Sequence, residues 1–178
     1  YRPALSEAEV CGDFYDAFNI LHGRRVALVI GDVVDKGIPA ALFMALCRSL
    51  TRAFAQQNYS LSWADVLQDA PPGGRRQAAG QRGAAAPTTG ITALKNAITL
   101  TNNYINDNHM ELNYFATMFM GILDPGTGQL AYINAGHTPT LIAGPDGAVK
   151  AKLKSTGPAV GMMPGVEFKT EAALLEPG

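Results

Sequence analysis

Residues 115–135 read FATMFMGILDPGTGQLAYINA and predict a β-hairpin. Two arms rich in apolar and aromatic side chains, 115–123 and 129–135, flank the turn-forming segment DPGTG. Residues 140–143 and 149–153 form a second pair of this kind around the turn GPDG. Because the two strands of a hairpin run antiparallel, the sequence predicts an antiparallel sheet.

The remaining segments add further strands and two helices. Residues 26–30, VALVI, form an apolar run that predicts a buried strand ending at Gly31-Asp32, and 167–175 predict a last strand. Apolar residues recur at helical spacing from 37 to about 57 and from 94 to about 105. The predicted fold class is therefore α+β, with a few long helices packed on an antiparallel sheet.

Length and composition favour one ordinary soluble domain spanning 1–178. The chain is 47% hydrophobic and carries a formal net charge of -1, which gives it no global field for nucleic acid or anionic lipid. No apolar run approaches the roughly 20 residues that span a bilayer, so no membrane insertion is expected. The two cysteines, Cys11 and Cys47, lack the spacing of a metal site or a disulfide framework, which favours reduced thiols in the cytoplasm.

One segment, 69–90, departs from this pattern. It contains PPGGRRQAAGQRGAAAPTTG and has no apolar side chain larger than Ala or Pro, so burial cannot offset the entropy of ordering it. We interpret it as a disordered surface loop. Arg75, Arg76 and Arg82 make it locally basic, but it has no aromatic side chains for base stacking, so no nucleic-acid partner is expected.

Two acidic residues are candidates for binding a metal ion. Asp32 follows the predicted buried strand just before a turn into a helix, and Asp13 lies in the string CGDFYD. Carboxylates in such positions can hold a hard cation such as Mg²⁺ or Mn²⁺ through oxygen ligands. The pattern alone leaves open the alternative that each is a helix cap or a hydrogen-bonded turn residue.

Five strings, in this order, resemble the SpoIIE/RsbU-type branch of the metal-dependent (PPM) serine/threonine protein phosphatases. They are YRPAL (1–5), EVCGDFYDAF (9–18), ALVIGDVVDKGIPAALFMA (27–45), FATMFMGILDPGTGQLAYINAGHTPTLI (115–142) and STGPAVGMMPG (155–165). The resemblance covers nearly the whole chain except 69–90. It implies a four-layer α-β-β-α sandwich of two antiparallel sheets with helices outside.

The resemblance also implies an activity and its partners. It implies two Mn²⁺ or Mg²⁺ ions whose bound water attacks the phosphorus of phosphoserine or phosphothreonine, since paired cations neutralise the phosphate and activate water. The implied substrate is a phosphorylated regulatory protein of the anti-anti-sigma kind. The domain would be the output of a bacterial signalling protein with a sensor or receiver domain upstream.

Site residues follow from the motifs that carry the resemblance. Asp13, Asp32 and the carbonyl of Val33 are the implied metal ligands, with Asp32 bridging both ions. Asp16 would orient a metal-bound water or cap a turn, and the sequence leaves both open. Lys36 would face phosphate or lie solvated in a turn. His137, in the string NAGH, would act as an acid or base or pack as a structural histidine.

The chain also departs from the family pattern. The family places further metal-binding aspartates beyond a segment resembling 174–178, so the domain is expected to be incomplete at its C-terminus. Two carboxylates neutralise two divalent cations only partly, so we expect weak metal binding and little or no activity from the 178-residue chain. An unpaired sheet edge would favour a homodimer. The alternative function is a catalytically inactive regulatory module that binds a partner.

Overall fold

The computed structural model describes residues 11–68, 88–109, 111 and 113–177. These residues form seven strands and two long helices. In chain order they are β1 (Asp13–Ile20), β2 (Arg25–Val33), α1 (Gly37–Gln68), α2 (Thr88–His109), β3 (Ala116–Leu123), β4 (Gln129–Ala135), β5 (Thr140–Ala143), β6 (Val149–Leu153) and β7 (Glu171–Leu174).

Every strand pairs antiparallel with its neighbours. One sheet has five strands in the order β1-β2-β3-β4-β7, and the other is the two-stranded β5-β6 hairpin. The predicted hairpins are confirmed, with DPGTG joining β3 to β4 and GPDG joining β5 to β6. The predicted α+β class with two antiparallel sheets is likewise confirmed.

Both helices pack on one face of the five-stranded sheet, with α1 against β1 and β2 and α2 against β3 and β4. Residues alternate strictly between buried and exposed along β1, as in a strand with one covered face. The core between helices and sheet contains large side chains from every layer. They include Phe14, Phe18, Phe43, Leu94, Ile98, Met118, Met120 and Ile133.

The opposite face of the large sheet is only partly covered. The β5-β6 hairpin packs there on a smaller cluster in which the Phe119 and Tyr132 rings stack 5.5 Å apart. Over β1 and β2 this face is open, and Tyr15 and Ile30 are 81% and 45% exposed. The described ranges thus form helix, sheet and sheet layers. They contribute no outer helix layer beyond the small sheet.

Several element boundaries differ from the prediction, and one strand was not predicted. Strand β1 was not predicted from the pattern because Asp16 interrupts its apolar positions, and helix α1 continues past residue 57 to Gln68. Helix α2 begins at Thr88, so residues 88–90 of the predicted 69–90 loop are helical, while 69–87 lie outside the described residues. Strand β7 occupies only Glu171–Leu174 of the predicted 167–175.

The first half of α1 is more apolar than the sequence analysis recognised. Its segment Gly37–Gln57, with a mean hydropathy of 1.3, is long and apolar enough to cross a membrane, contrary to our expectation that no such segment exists. In the structure its buried stripe, formed by Phe43, Cys47, Thr51 and Ala55, faces the core at a spacing of one helical turn. Burial raises the pKa of the Cys47 thiol to about 12. Ile38 and Leu42 remain 73% and 68% exposed, so this packing accounts for only part of the apolar composition of the helix.

Candidate metal centre

Strand pairing brings Asp13 and Asp32 together. The two residues are register partners on β1 and β2, so their side chains project from the same face of the sheet, the face away from the helices. Both are exposed at the end of the sheet. The structure thus places Asp32 near the end of a strand, as predicted, and pairs it with Asp13 at the start of a strand that was not predicted. The role of both residues as metal ligands stays a prediction.

The two carboxylates disfavour each other's charge. The pKa of Asp32 is raised above its ordinary value, first by partial desolvation of this exposed residue beside the neighbouring strands, then by the negative charge of Asp13 and a hydrogen bond with it. His137 acts in the opposite direction. Like charges directly opposite each other on adjacent strands are destabilising. A divalent cation between them would remove this repulsion, so the pair fits such an ion.

Gly12 keeps the neighbouring backbone accessible. A Cβ atom at this position would lie 2.6 Å from the carbonyl oxygen of Val33 and 3.3 Å from Oδ1 of Asp32. The Val33 N–H donates to the Gly12 carbonyl over 3.3 Å, which holds the two strands together, and the Val33 side chain is buried. The absent side chain leaves a carbonyl and a carboxylate oxygen approachable from one side.

These donors are the ligands that a hard cation prefers. Among residues 11–68, 88–109, 111 and 113–177, however, no group of three or more His, Cys, Asp or Glu side chains could hold a metal ion. Asp13, Asp32 and the Val33 carbonyl therefore fit one divalent cation with a partial ligand set. Cys11 is partly exposed, and its Sγ donates to Oδ2 of Asp13 over 3.0 Å, so it lies beside this carboxylate rather than packed beneath it.

The structure also brings His137 to the site. Its Nδ1 lies 2.8 Å from Oγ1 of Thr117, and Thr117 is the register partner of Asp32 on β3. The backbone N–H of His137 donates to Oδ1 of Asn134 over 2.8 Å. His137 could therefore act as an acid or base at the site or serve as a structural histidine, because its position fits both predictions.

Asn134 is a supporting residue that the sequence analysis quoted within NAGH but did not single out. It is fully buried, and its Nδ2 donates to the carbonyl of Leu153 over 3.2 Å. Its backbone N–H donates to Oγ1 of Thr156 over 3.1 Å. The next turn is equally constrained, because a Cβ on Gly136, whose φ is 70°, would lie 2.9 Å from the Ala159 nitrogen. The turn before His137 is therefore rigid.

Asp16 does not join the site. It projects from the opposite face of β1, where it is 8% exposed, and Arg48 of α1 bonds its Oδ1 over 3.3 Å. Arg52 lies 3.4 Å from Oδ2 at ion-pair distance without hydrogen-bond geometry, and its guanidinium stacks 4.7 Å from the Phe18 ring centroid. Neither predicted role, water orientation or turn capping, matches this position, because side chains alternate along a strand.

Lys36 lies in the exposed turn between β2 and α1. Its backbone N–H donates to Oδ1 of Asp35 over 2.8 Å, and Asp35 and Gly37 adopt positive φ values of 77° and 80°. This turn redirects the chain from Asp32 into the helix. Lys36 thus lies in an exposed turn, and both interpretations of its side chain stay predictions.

The repulsion at Asp32 predicts a pH dependence of the metal-free protein. Because the folded pKa of Asp32 is raised, the folded state binds this proton more tightly than the unfolded state, whose pKa is near 3.8. Ionisation of Asp32 should therefore lower the free energy of unfolding as the pH rises above 3.8. Thermal unfolding in EDTA should show that Asp32→Asn gains stability relative to wild type at pH 7 but not at pH 3. An equal difference at both pH values would contradict this account of the pair.

The chain is similar to longer proteins from several bacteria. Protein IcfG of Synechocystis sp. is 42% identical over 189 residues, which include this whole chain but only 26% of that relative. The RsbU and RsbW domains of Rv1364c from Mycobacterium tuberculosis superpose with a TM-score of 0.60 at 24% identity, over 98% of this chain and 39% of theirs. This chain thus spans less than half the length of both.

Two further solved structures share the fold. The PP2C phosphatase domain of the cell fate determinant SpoIIE from Bacillus subtilis, solved with a fragment of its regulatory domain, has a TM-score of 0.61 at 18% identity, over 94% of this chain and 39% of that one. RsbX in complex with magnesium has a TM-score of 0.55 at 14% identity, over 95% of this chain and 63% of that one.

The family comparison covers most of the sequence. The family model described as stage II sporulation protein E (SpoIIE) matches residues 22–178. The matched segment includes Asp32, Val33, Thr117 and His137, and the solved neighbours include a PP2C phosphatase domain with the same fold. The chain therefore belongs to the SpoIIE family and has the fold of its PP2C-type phosphatase domains.

Proposed function

We propose that this domain is a metal-dependent protein phosphatase that hydrolyses phosphoserine or phosphothreonine on a regulatory protein. The observation that carries the proposal is the Asp13–Asp32 pair, two carboxylates in register on one face of the sheet with the raised pKa of Asp32. A cation that neutralises two such opposed charges removes their repulsion and so stabilises the protein.

Asp13, Asp32 and the Val33 carbonyl would hold the cation, Mn²⁺ or Mg²⁺. When bound, such an ion neutralises phosphate charge and lowers the pKa of water, which supplies the nucleophile. The sheet fixes the separation of the two carboxylates, because their strands are paired from Asp13↔Asp32 to Ile20↔Arg25. A second ion, as the family resemblance implies, would need ligands beyond these three. The magnesium in the RsbX structure supports this choice of metal.

A protein substrate is favoured by the open face beside the site. Tyr15 lies two residues from Asp13 on the same face of β1, and Ile30 lies two residues from Asp32 on β2. Their exposed apolar surface would contact a polypeptide rather than a small phosphate ester. The presence of an RsbW domain beside the RsbU domain of Rv1364c supports a regulatory protein as partner, and the family resemblance implies a substrate of the anti-anti-sigma kind. We place this signalling role in the cytoplasm, where free thiols such as Cys11 and Cys47 persist.

A binding module without turnover is the second candidate. The observation that favours it is the partial ligand set, since the described part of the chain offers two carboxylates and one carbonyl at the site. Such a set would hold a divalent cation weakly. The same open face would then bind the partner without dephosphorylating it.

Phosphate release from a phosphoserine protein, measured with the full-length protein, distinguishes the two candidates. Turnover that requires Mn²⁺ or Mg²⁺ and stops in EDTA is expected for the phosphatase. A folded full-length protein that binds the phosphorylated substrate but releases no phosphate with either metal would favour the binding module.

A further inference from the structure

A row of polar side chains crosses the end of the large sheet. Asp13 on β1 is in register with Asp32 on β2, and Asp32 is in register with Thr117 on β3. Directly paired residues project from the same face of a sheet. His137, just beyond the end of β4, continues the row by its 2.8 Å contact with Thr117. Three strands and the segment that follows β4 thus contribute to one continuous line of functional groups.

The two halves of this row differ in chemistry. Asp13 and Asp32 are carboxylates that repel an anion until a cation is bound. Thr117 and His137 carry a hydroxyl group and an imidazole, groups that can donate hydrogen bonds. A phosphoryl group that contacts a cation at the acidic half would have donors from the other half next to it.

The hydrogen bonds around His137 define which ring nitrogen is available. Thr117 Oγ1 contacts Nδ1, and within the described residues Nε2 has no hydrogen-bond partner. When Thr117 donates to Nδ1, the ring proton of neutral histidine resides on Nε2, which then acts as a donor. The bond from the His137 N–H to the buried Asn134 fixes the backbone from which the ring projects.

We propose that Thr117 and His137 form a phosphoryl-binding arm of the site, in which Thr117 orients the imidazole and His137 Nε2 donates a hydrogen bond to a phosphoryl oxygen of the substrate. Thr117 is the positioning residue, and His137 is the residue that touches the substrate. The inference rests on the proposed function, because it assumes that a phosphoryl group occupies the site.

Inorganic phosphate is the probe that tests this arm. Calorimetric titration of phosphate into the full-length protein with excess Mg²⁺ should show binding about tenfold weaker for His137→Ala, because one hydrogen bond to a charged group is lost. Thr117→Val should weaken phosphate binding about fivefold, and Thr117→Ser should recover most of it, because the hydroxyl group alone orients the ring. The matched control Thr138→Val, on the exposed neighbour of His137, should bind phosphate as wild type does.

Two further measurements distinguish a phosphoryl-binding arm from a structural defect at the sheet end. Mn²⁺ affinity should be the same in wild type, Thr117→Val and His137→Ala, because a structural defect would weaken metal and phosphate binding together. Phosphate release from a phosphoserine protein is measured in parallel. If the variants bind phosphate more weakly than wild type, and wild type shows no turnover, the phosphoryl-binding arm is supported and the phosphatase proposal is overturned. Turnover with equal phosphate affinities in all variants, or no phosphate binding by wild type, would overturn the arm.

Discussion

Asp32→Asn should reduce metal-dependent phosphate release about a thousandfold, because the ion loses the ligand that is central to the polar row and with it several kcal/mol of transition-state stabilisation. The substitution removes a charge but keeps the shape of the side chain. Because Asp32 faces Asp13 across the strand pair, the fold should not be weakened and should gain stability at neutral pH. Initial rates of phosphate release and thermal unfolding in EDTA, measured on the same samples, check both parts.

Asp107→Asn is the matched control for this variant. Asp107 is an exposed carboxylate on α2, outside the polar row, so its replacement changes the net charge equally without touching the site. Turnover by Asp107→Asn should equal that of wild type. A similar loss in both variants would indicate a general charge effect, and full activity of Asp32→Asn would remove Asp32 from the mechanism.

The double substitution Arg48→Met and Arg52→Met should lower the free energy of unfolding by about 3 kcal/mol, because it leaves the buried Asp16 carboxylate without a charged partner. The N–H of Ala17, which donates to Oδ1 of Asp16 over 3.0 Å, is then its remaining hydrogen-bond donor. The two arginines are 47% and 41% exposed, so their attraction for Asp16 is screened and contributes little by itself. The loss of stability arises from the buried Asp16 carboxylate that remains. Urea unfolding should therefore show a larger decrease in the free energy of unfolding for this variant than for Asp16→Asn. In Asp16→Asn the two arginines are exposed enough to be hydrated.

A triple variant provides the control for the Asp16 cluster. Adding Asp16→Leu to the two methionine substitutions removes the stranded charge and should restore most of the lost stability. If the triple variant is as unstable as the double, the loss comes from packing between α1 and β1 rather than from the carboxylate.

The local parts of the fold could be predicted from the sequence. The turns DPGTG and GPDG specify their hairpins through residues that are adjacent in the chain, and their boundaries agree with the structure. Strand β1 could not be predicted from its pattern, because Asp16 occupies a buried position and is neutralised by arginines about thirty residues later. Local hydrophobic periodicity does not reveal tertiary contacts of this kind.

The sequence predicted which residues belong to the site but not how they are arranged in space. Asp13, Asp32 and His137 came from motifs, yet their proximity depends on two strand registers and one turn. Asp16 was placed with them because it belongs to the same family motif as Asp13, although its odd spacing from Asp13 puts it on the other face of the strand. The sequence did not indicate Thr117 as a site residue, because threonine is common in strands. Only its register with Asp32 distinguishes it.

Mn²⁺ binding tests the central claim, that Asp13 and Asp32 together hold a divalent cation. Electron paramagnetic resonance of free Mn²⁺, titrated with the full-length protein, measures the affinity independently of turnover. Wild type and Asp107→Asn should bind Mn²⁺ equally, and Asp13→Asn and Asp32→Asn should each bind it at least about tenfold more weakly, since each removes one charged ligand. Equal Mn²⁺ affinity in all four proteins would contradict the claim.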